Sequence, residues 1–137
     1  MSYHAAYMRA LCLAFVICAI AAFAADRDLA GGYAGQWKSN TSGNGGALRF
    51  TLGKAGNSWK STASVAVNGN DLTCAMRTVK VGDASVELVY EFDVDNTPLR
   101  TTQKGDWKGG EFQGTYQTTT LDGEMVDAGT WTAKSGK

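Results

Sequence analysis

The chain has 137 residues, enough for one domain and too few for two with separate cores. Its 13 Lys and Arg balance 13 Asp and Glu, so no long-range field draws it to nucleic acid or to an anionic membrane, and neither is an expected partner. With 17 glycines, one proline (Pro98) and frequent Thr, Ser, Val and aromatics, the composition suits short strands joined by tight turns. No helical period of apolar residues persists after residue 26.

The N-terminus reads as a signal peptide over 1–24. Arg9 precedes an uncharged apolar run, Ala10 to Phe23, which ends in the small-x-small pattern Ala22-Phe23-Ala24 and is followed by Asp26-Arg27-Asp28. The run is shorter than the roughly twenty residues a membrane span needs. An uncleaved anchor helix is the alternative; a lipid anchor at Cys18 is disfavoured by the bulky Ile17 before it. Translation starts at Met1 or at Met8, which Arg9 follows directly. Cleavage after Ala24 would leave a secreted or periplasmic protein without membrane contact, with a lead-in over 25–32 and a single barrel domain over 33–137. Cys12 and Cys18 leave with the leader, so the one remaining thiol, Cys74, cannot staple the fold and a hydrophobic core must hold it. Cys74 itself reads as a small buried apolar residue, the alternative being a reactive or dimer-bridging thiol.

Turn signals then arrive about every 13 residues. They are Ser42 to Gly46, Lys54 to Asn57, Asn68-Gly69, Gly82-Asp83, Asp95 to Pro98, Lys108 to Gly110 and Asp122-Gly123. Asn68-Gly69 is the strongest, since both residues tolerate the positive φ of a two-residue hairpin turn. These turns separate eight strands, at about 33–39, 47–53, 59–67, 72–81, 85–94, 99–107, 111–120 and 125–133. Leu48, Phe50 and Leu52 alternate with Ala47, Arg49 and Thr51, and Val86 to Val94 alternates likewise, giving each strand one dry face and one wet face. Short loops describe a meander, with a Greek-key sandwich ranking second for want of a long return. The fold class expected is all-β: an eight-stranded antiparallel up-and-down β-barrel after an N-terminal signal peptide, closed by its last strand pairing with its first.

In such a barrel the turns alternate between two ends. Trp37, Trp59, Trp107 and Trp131, with Phe112, are expected at the end that holds the termini, as a structural plug; an aromatic sugar-stacking platform is the alternative. At the other end the alternation turns Thr101 and Gln103, Thr118 and Asp127 inward. With Cys74, Met76, Tyr90, Phe92 and Tyr116 they form a mouth with small and polar groups above an aromatic floor. The candidate ligand-binding residues are Tyr90, Phe92, Thr101, Gln103, Tyr116, Thr118 and Asp127. Against this stands a barrel simply filled by its side chains, since eight strands leave little room. An inward Asp127 needs partners, and a one-residue bulge would turn it outward.

Gly35-x-Trp37 on the first strand, followed by the eight-strand meander, resembles the calycin superfamily of lipocalins and avidin-like barrels. The topological likeness spans the chain after the leader; the motif spans three residues. The resemblance implies a barrel and ligand binding. Gly35 and Trp37 are structural in it, and no binding residue carries across. No helical pattern follows the last strand, and neither the second loop motif of lipocalins nor the biotin-contact pattern of avidins is found.

His4, the only histidine, lies in the leader, so the remaining chain lacks the imidazole of Ser-His-Asp, Cys-His and His-zinc sites. Glu87, Glu91 and Asp93 share the wet face and read as solvated charges, not as a glycosidase pair. No metal, cofactor or enzymatic activity is expected. The leading expectation is a non-catalytic exported barrel that binds a small apolar or amphipathic ligand in its open half. A module that binds a protein partner through the Ser39–Gly46 and Asp95–Leu99 loops comes second, and a carbohydrate-binding module third.

Overall fold

The structure, a computed structural model, describes residues 28–136, so the leader expected over 1–24 lies outside the described residues. The expected alternation of dry and wet faces yields nine antiparallel strands: β1 (Gly31–Ser39), β2 (Gly45–Ala55), β3 (Ser58–Val67), β4 (Asn70–Thr73), β5 (Ala75–Val81), β6 (Ser85–Val94), β7 (Thr97–Lys108), β8 (Glu111–Thr120) and β9 (Met125–Ser135). They form one sheet in the order β4-β3-β2-β1-β9-β8-β7-β6-β5. The up-and-down barrel closes where β1 meets β9, with Tyr33 opposite Ser135 and Trp37 opposite Trp131. No helix among the described residues is long and apolar enough to cross a membrane.

The expected count of eight is corrected to nine, because the segment expected as one strand over 72–81 is broken at Cys74. Its first part, β4, pairs with the last residues of β3, and its second part, β5, pairs with β6. The break is where the chain changes partner. Cys74 still donates its backbone N–H to the Ala63 carbonyl of β3 at 3.0 Å, but no ladder joins β5 to β3 beyond it. Between Met76 and Thr78 the register slips by one residue. Such a bulge sharpens the local bend and twist, which lets the chain swing from one neighbour to the other. The barrel is therefore nearly closed, with its only unladdered seam among the described residues beside β5.

Turn chemistry fixes the hairpins. Asn68 and Gly69 have φ of 54° and 81°, the paired positive values of a two-residue turn whose twist matches the strands. Asp95 and Asn96, at 50° and 66°, make an equivalent turn without glycine, so β7 begins at Thr97, two residues earlier than expected. Pro98 is thereby carried into the strand, opposite Asp93.

Aromatic rings fill the half of the barrel that holds the termini. Tyr33 stacks on Phe50 at 5.0 Å between ring centroids and meets Phe112 edge-on at 5.1 Å; Trp107 packs on Phe112 at 5.0 Å and Trp131 on Phe50 at 5.7 Å. Leu29 is buried ahead of β1, and its carbonyl accepts the Tyr33 hydroxyl at 2.6 Å.

Candidate functional site

The other half of the barrel is not filled. A cavity of about 240 Å³ opens among β1, β2, β3, β6, β7, β8 and β9, below the turns that follow β1, β3, β6 and β8. Trp37 and Trp131, opposite each other on β1 and β9, share its wall, and each is fixed by the same device run in opposite directions. Trp37 reaches across Gly46 of β2 and donates its Nε1–H to the Ala66 carbonyl of β3 at 2.9 Å. Trp131 reaches across Gly114 of β8 and donates to the Lys104 carbonyl of β7 at 3.0 Å and the Thr115 carbonyl at 3.1 Å. The bare residues that admit each ring sit one strand away for Trp37 and two strands away for Trp131. A Cβ on Gly46 would lie 2.9 Å from Trp37 Nε1, and one on Gly105 would lie 2.9 Å from Trp131 Cη2.

The structure departs from the expected plug at Trp37. β1 starts at Gly31 and ends at Ser39, so Trp37 stands two residues before the strand's far end and lines the cavity. Trp131 belongs to both halves, being packed on Phe50 and Phe112 and exposed to the cavity on its other side. Trp59, Trp107 and Phe112 do not line it; Phe112 is fully buried, and the two tryptophans pack partly buried against the core.

All seven candidate ligand-binding residues line the cavity, and the register explains why they meet. Tyr90, Thr101, Thr118 and Asp127 are successive cross-strand partners on β6, β7, β8 and β9, one inward-facing rung. Gln103 and Tyr116 face each other on the next rung down, and Phe92 sits one rung up, opposite Leu99. Hydrogen bonds tie the rungs together. The Tyr90 hydroxyl donates to Gln103 Oε1 at 2.7 Å, and the Thr101 and Thr118 hydroxyls lie 2.6 Å apart. The Tyr116 hydroxyl donates to Asp127 Oδ2 at 2.8 Å. Asp127 Oδ1 accepts from Ser39 Oγ at 2.6 Å and Thr41 Oγ1 at 3.1 Å. These three hydroxyls supply the partners that an inward carboxylate needs. A bulge does occur beside it, at Val126, where Thr118 faces Asp127 and Thr119 faces Met125. It lies on the turn side of Asp127, so the carboxylate keeps the inward phase of Gly129 and Trp131.

The opposite wall is apolar. Leu48 of β2 and Val65 and Val67 of β3 face the polar rungs, and Val94, Leu99 and Val126 surround the rim. Sequence reasoning put none of these in the site, nor Trp37 and Trp131. Val65 and Val67 carried a usable signal, since they immediately precede the Asn68-Gly69 turn at the open end. Cys74 and Met76, expected in the mouth, pack against the core outside the cavity wall.

Burial raises the phenol pKa of Tyr90 well above its ordinary value, with smaller contributions from Cys74 and Tyr116. Tyr116 is raised first by burial and then by its bond to Asp127. Both phenols are therefore neutral donors in neutral solution. On the outer face Glu91 pairs with Arg100 at 2.7 Å and Arg77 at 3.0 Å, and these bonds hold its carboxyl below the usual carboxylate range. No group of three or more His, Cys, Asp or Glu is placed to hold a metal ion among the described residues. The arrangement can enclose a small molecule between an apolar wall and a wall of hydroxyl and amide groups. No protein-family model matches the chain, and no curated protein or solved structure shows significant similarity to it.

Proposed function

We propose that the protein is an exported, non-catalytic, calycin-like barrel that holds a small apolar or amphipathic molecule in the open half of its interior. The observation that carries this reading is the two-sided cavity: about 240 Å³, with Leu48, Val65 and Val67 against the rungs of Tyr90, Gln103, Thr101 and Thr118. A concave, mostly apolar site with a few fixed polar groups is the ordinary form of a small-ligand pocket. Its volume falls below the roughly 300–1,000 Å³ of drug-sized sites, so the occupant is small. Export rests on the apolar run Ala10 to Phe23 and the pattern that ends it.

Native mass spectrometry of the protein purified from its own host tests this reading. The mass should fall on denaturation by that of a small molecule, to the mass of Ala25–Lys137. The same complex should fail to form with Thr118→Trp, which puts an indole into the cavity, provided that thermal unfolding shows the variant folded. An unchanged mass, together with undiminished small-molecule binding by Thr118→Trp, would refute the pocket. A second reading, contact with a protein partner through the open-end loops, is favoured by one observation: Leu121, Met125 and Val126 are exposed together on the hairpin beside the mouth.

A further inference from the structure

We infer that the cavity is built for an uncharged ligand with a carbonyl or ether oxygen that accepts a hydrogen bond from Gln103. The inference rests on the pocket reading above and adds the chemistry of what the pocket takes. Gln103 is 1% exposed, lines the cavity and receives the Tyr90 hydroxyl on Oε1 at 2.7 Å. Its Nε2 finds no hydrogen-bond partner among the described residues. A buried amide donor left without an acceptor costs as much as a typical hydrogen bond contributes, or more, so a native site with one points to an acceptor from outside the chain.

A second donor stands beside it. Thr101, two residues along β7 on the same face, pairs with Thr118 at 2.6 Å. Two hydroxyls carry two hydrogens and this contact uses one, which leaves the other to donate. This wall therefore holds donor hydrogens, on Gln103 Nε2 and on one threonine hydroxyl, that no side chain takes up. Among the described residues the cavity wall contains no Lys or Arg, and its one carboxylate, Asp127, already accepts from Ser39, Thr41 and Tyr116. An anionic ligand would find no cation and would face Asp127, which excludes a carboxylate as the acceptor. What remains is a short apolar body for the Leu48–Val65 wall with one neutral oxygen for Gln103.

The test compares 2-heptanone with heptane, a matched pair that differs in the carbonyl, by calorimetric titration of the wild type and of Gln103→Met, which keeps the side chain's length. The affinity for the ketone relative to that for the alkane should fall about tenfold in Gln103→Met, because the ketone alone loses a hydrogen bond. In the wild type, the Gln103 side-chain NH₂ resonances should move on adding the ketone and stay in place on adding the alkane. If the ratio is unchanged, or the resonances ignore the ketone, the acceptor inference is overturned while the pocket stands. If neither probe binds the wild type, the pocket reading itself fails. Should Gln103→Met not fold, the wild-type resonances decide alone.

Discussion

At Asp127 a carboxylate survives on the inner face of a barrel because three hydroxyls from two other strands and a loop converge on it, so its lost hydration is replaced bond for bond. Cys74 is half-buried, with its thiol donating to a backbone carbonyl and no charged partner. Its Sγ lies 3.7 Å from the Leu72 carbonyl, and burial pushes the thiol up to about 12. The thiolate is the reactive form, so at pH 8 such a thiol holds about a thousandfold less of it than an ordinary cysteine. Alkylation by iodoacetamide, followed by mass spectrometry, should be slower in the folded protein than in urea by a factor of that order. Equal rates in the two states would identify an exposed, reactive thiol and refute the reading of Cys74 as a packing residue.

At the scale of strands, the fit of Trp131 over β8 and β7 makes Gly105 a position without room. An added Cβ would overlap the indole and also approach the Gln113 carbonyl at 3.1 Å. Gly105→Ala should cost about 1–3 kcal/mol, as overpacking does, whereas Gly32→Ala, with nothing within 4 Å of the new Cβ, should stay within about 0.5 kcal/mol of wild type. Urea unfolding of the two variants measures both; equal effects would mean that the indole does not constrain β7. The same contact marks what could be read from the sequence. Alternation anchored at Leu99, Trp107, Phe112, Tyr116 and Trp131 set the inward phase of β7, β8 and β9, and the run Val86 to Val94 set that of β6, so all seven candidate residues line the cavity. Phase says nothing of height along the barrel, and Trp37 was misplaced because even in the expected strand 33–39 it lies two residues from the end that meets the first turn, which is the open end. The phase change from Leu72, Cys74 and Met76 to Val79 and Val81 is visible in the sequence, but it does not tell a bulge from a change of partner. The partners of Asp127 were out of reach, since Ser39 and Thr41 arrive only through the register of β1 with β9.

For the whole molecule, the buried phenols and thiol couple the barrel's stability to pH on the alkaline side. Tyr33, Tyr90 and Tyr116 are raised above their ordinary value of 10.0, each chiefly by burial, and Cys74 is raised above 9.0. The unfolded chain therefore releases these protons first, and above about pH 9 it binds fewer protons than the folded one, so stability falls as pH rises. Well below pH 8 all four groups are protonated in both states and contribute no slope. On the acid side Glu91 has the opposite sign: its stabilisation is present above the usual carboxylate range and is lost as pH falls through its lowered value. It is solvent-screened and weighs little. The sequence has 5 tyrosines, and Tyr3 and Tyr7 lie ahead of Ala25, so in a chain cut after Ala24 every phenol is a raised one. Alkaline titration of that chain should then place the midpoint of phenolate absorbance above the ordinary 10.0. Phenolate should appear at higher pH in one cooperative step, together with the loss of near-ultraviolet circular dichroism from the tryptophans. Phenolate that appeared with a midpoint near 10 while the dichroism stayed native would mean that the phenols are solvated. The hydroxyl wall of the cavity would then be open to water, with no need of a ligand to complete it.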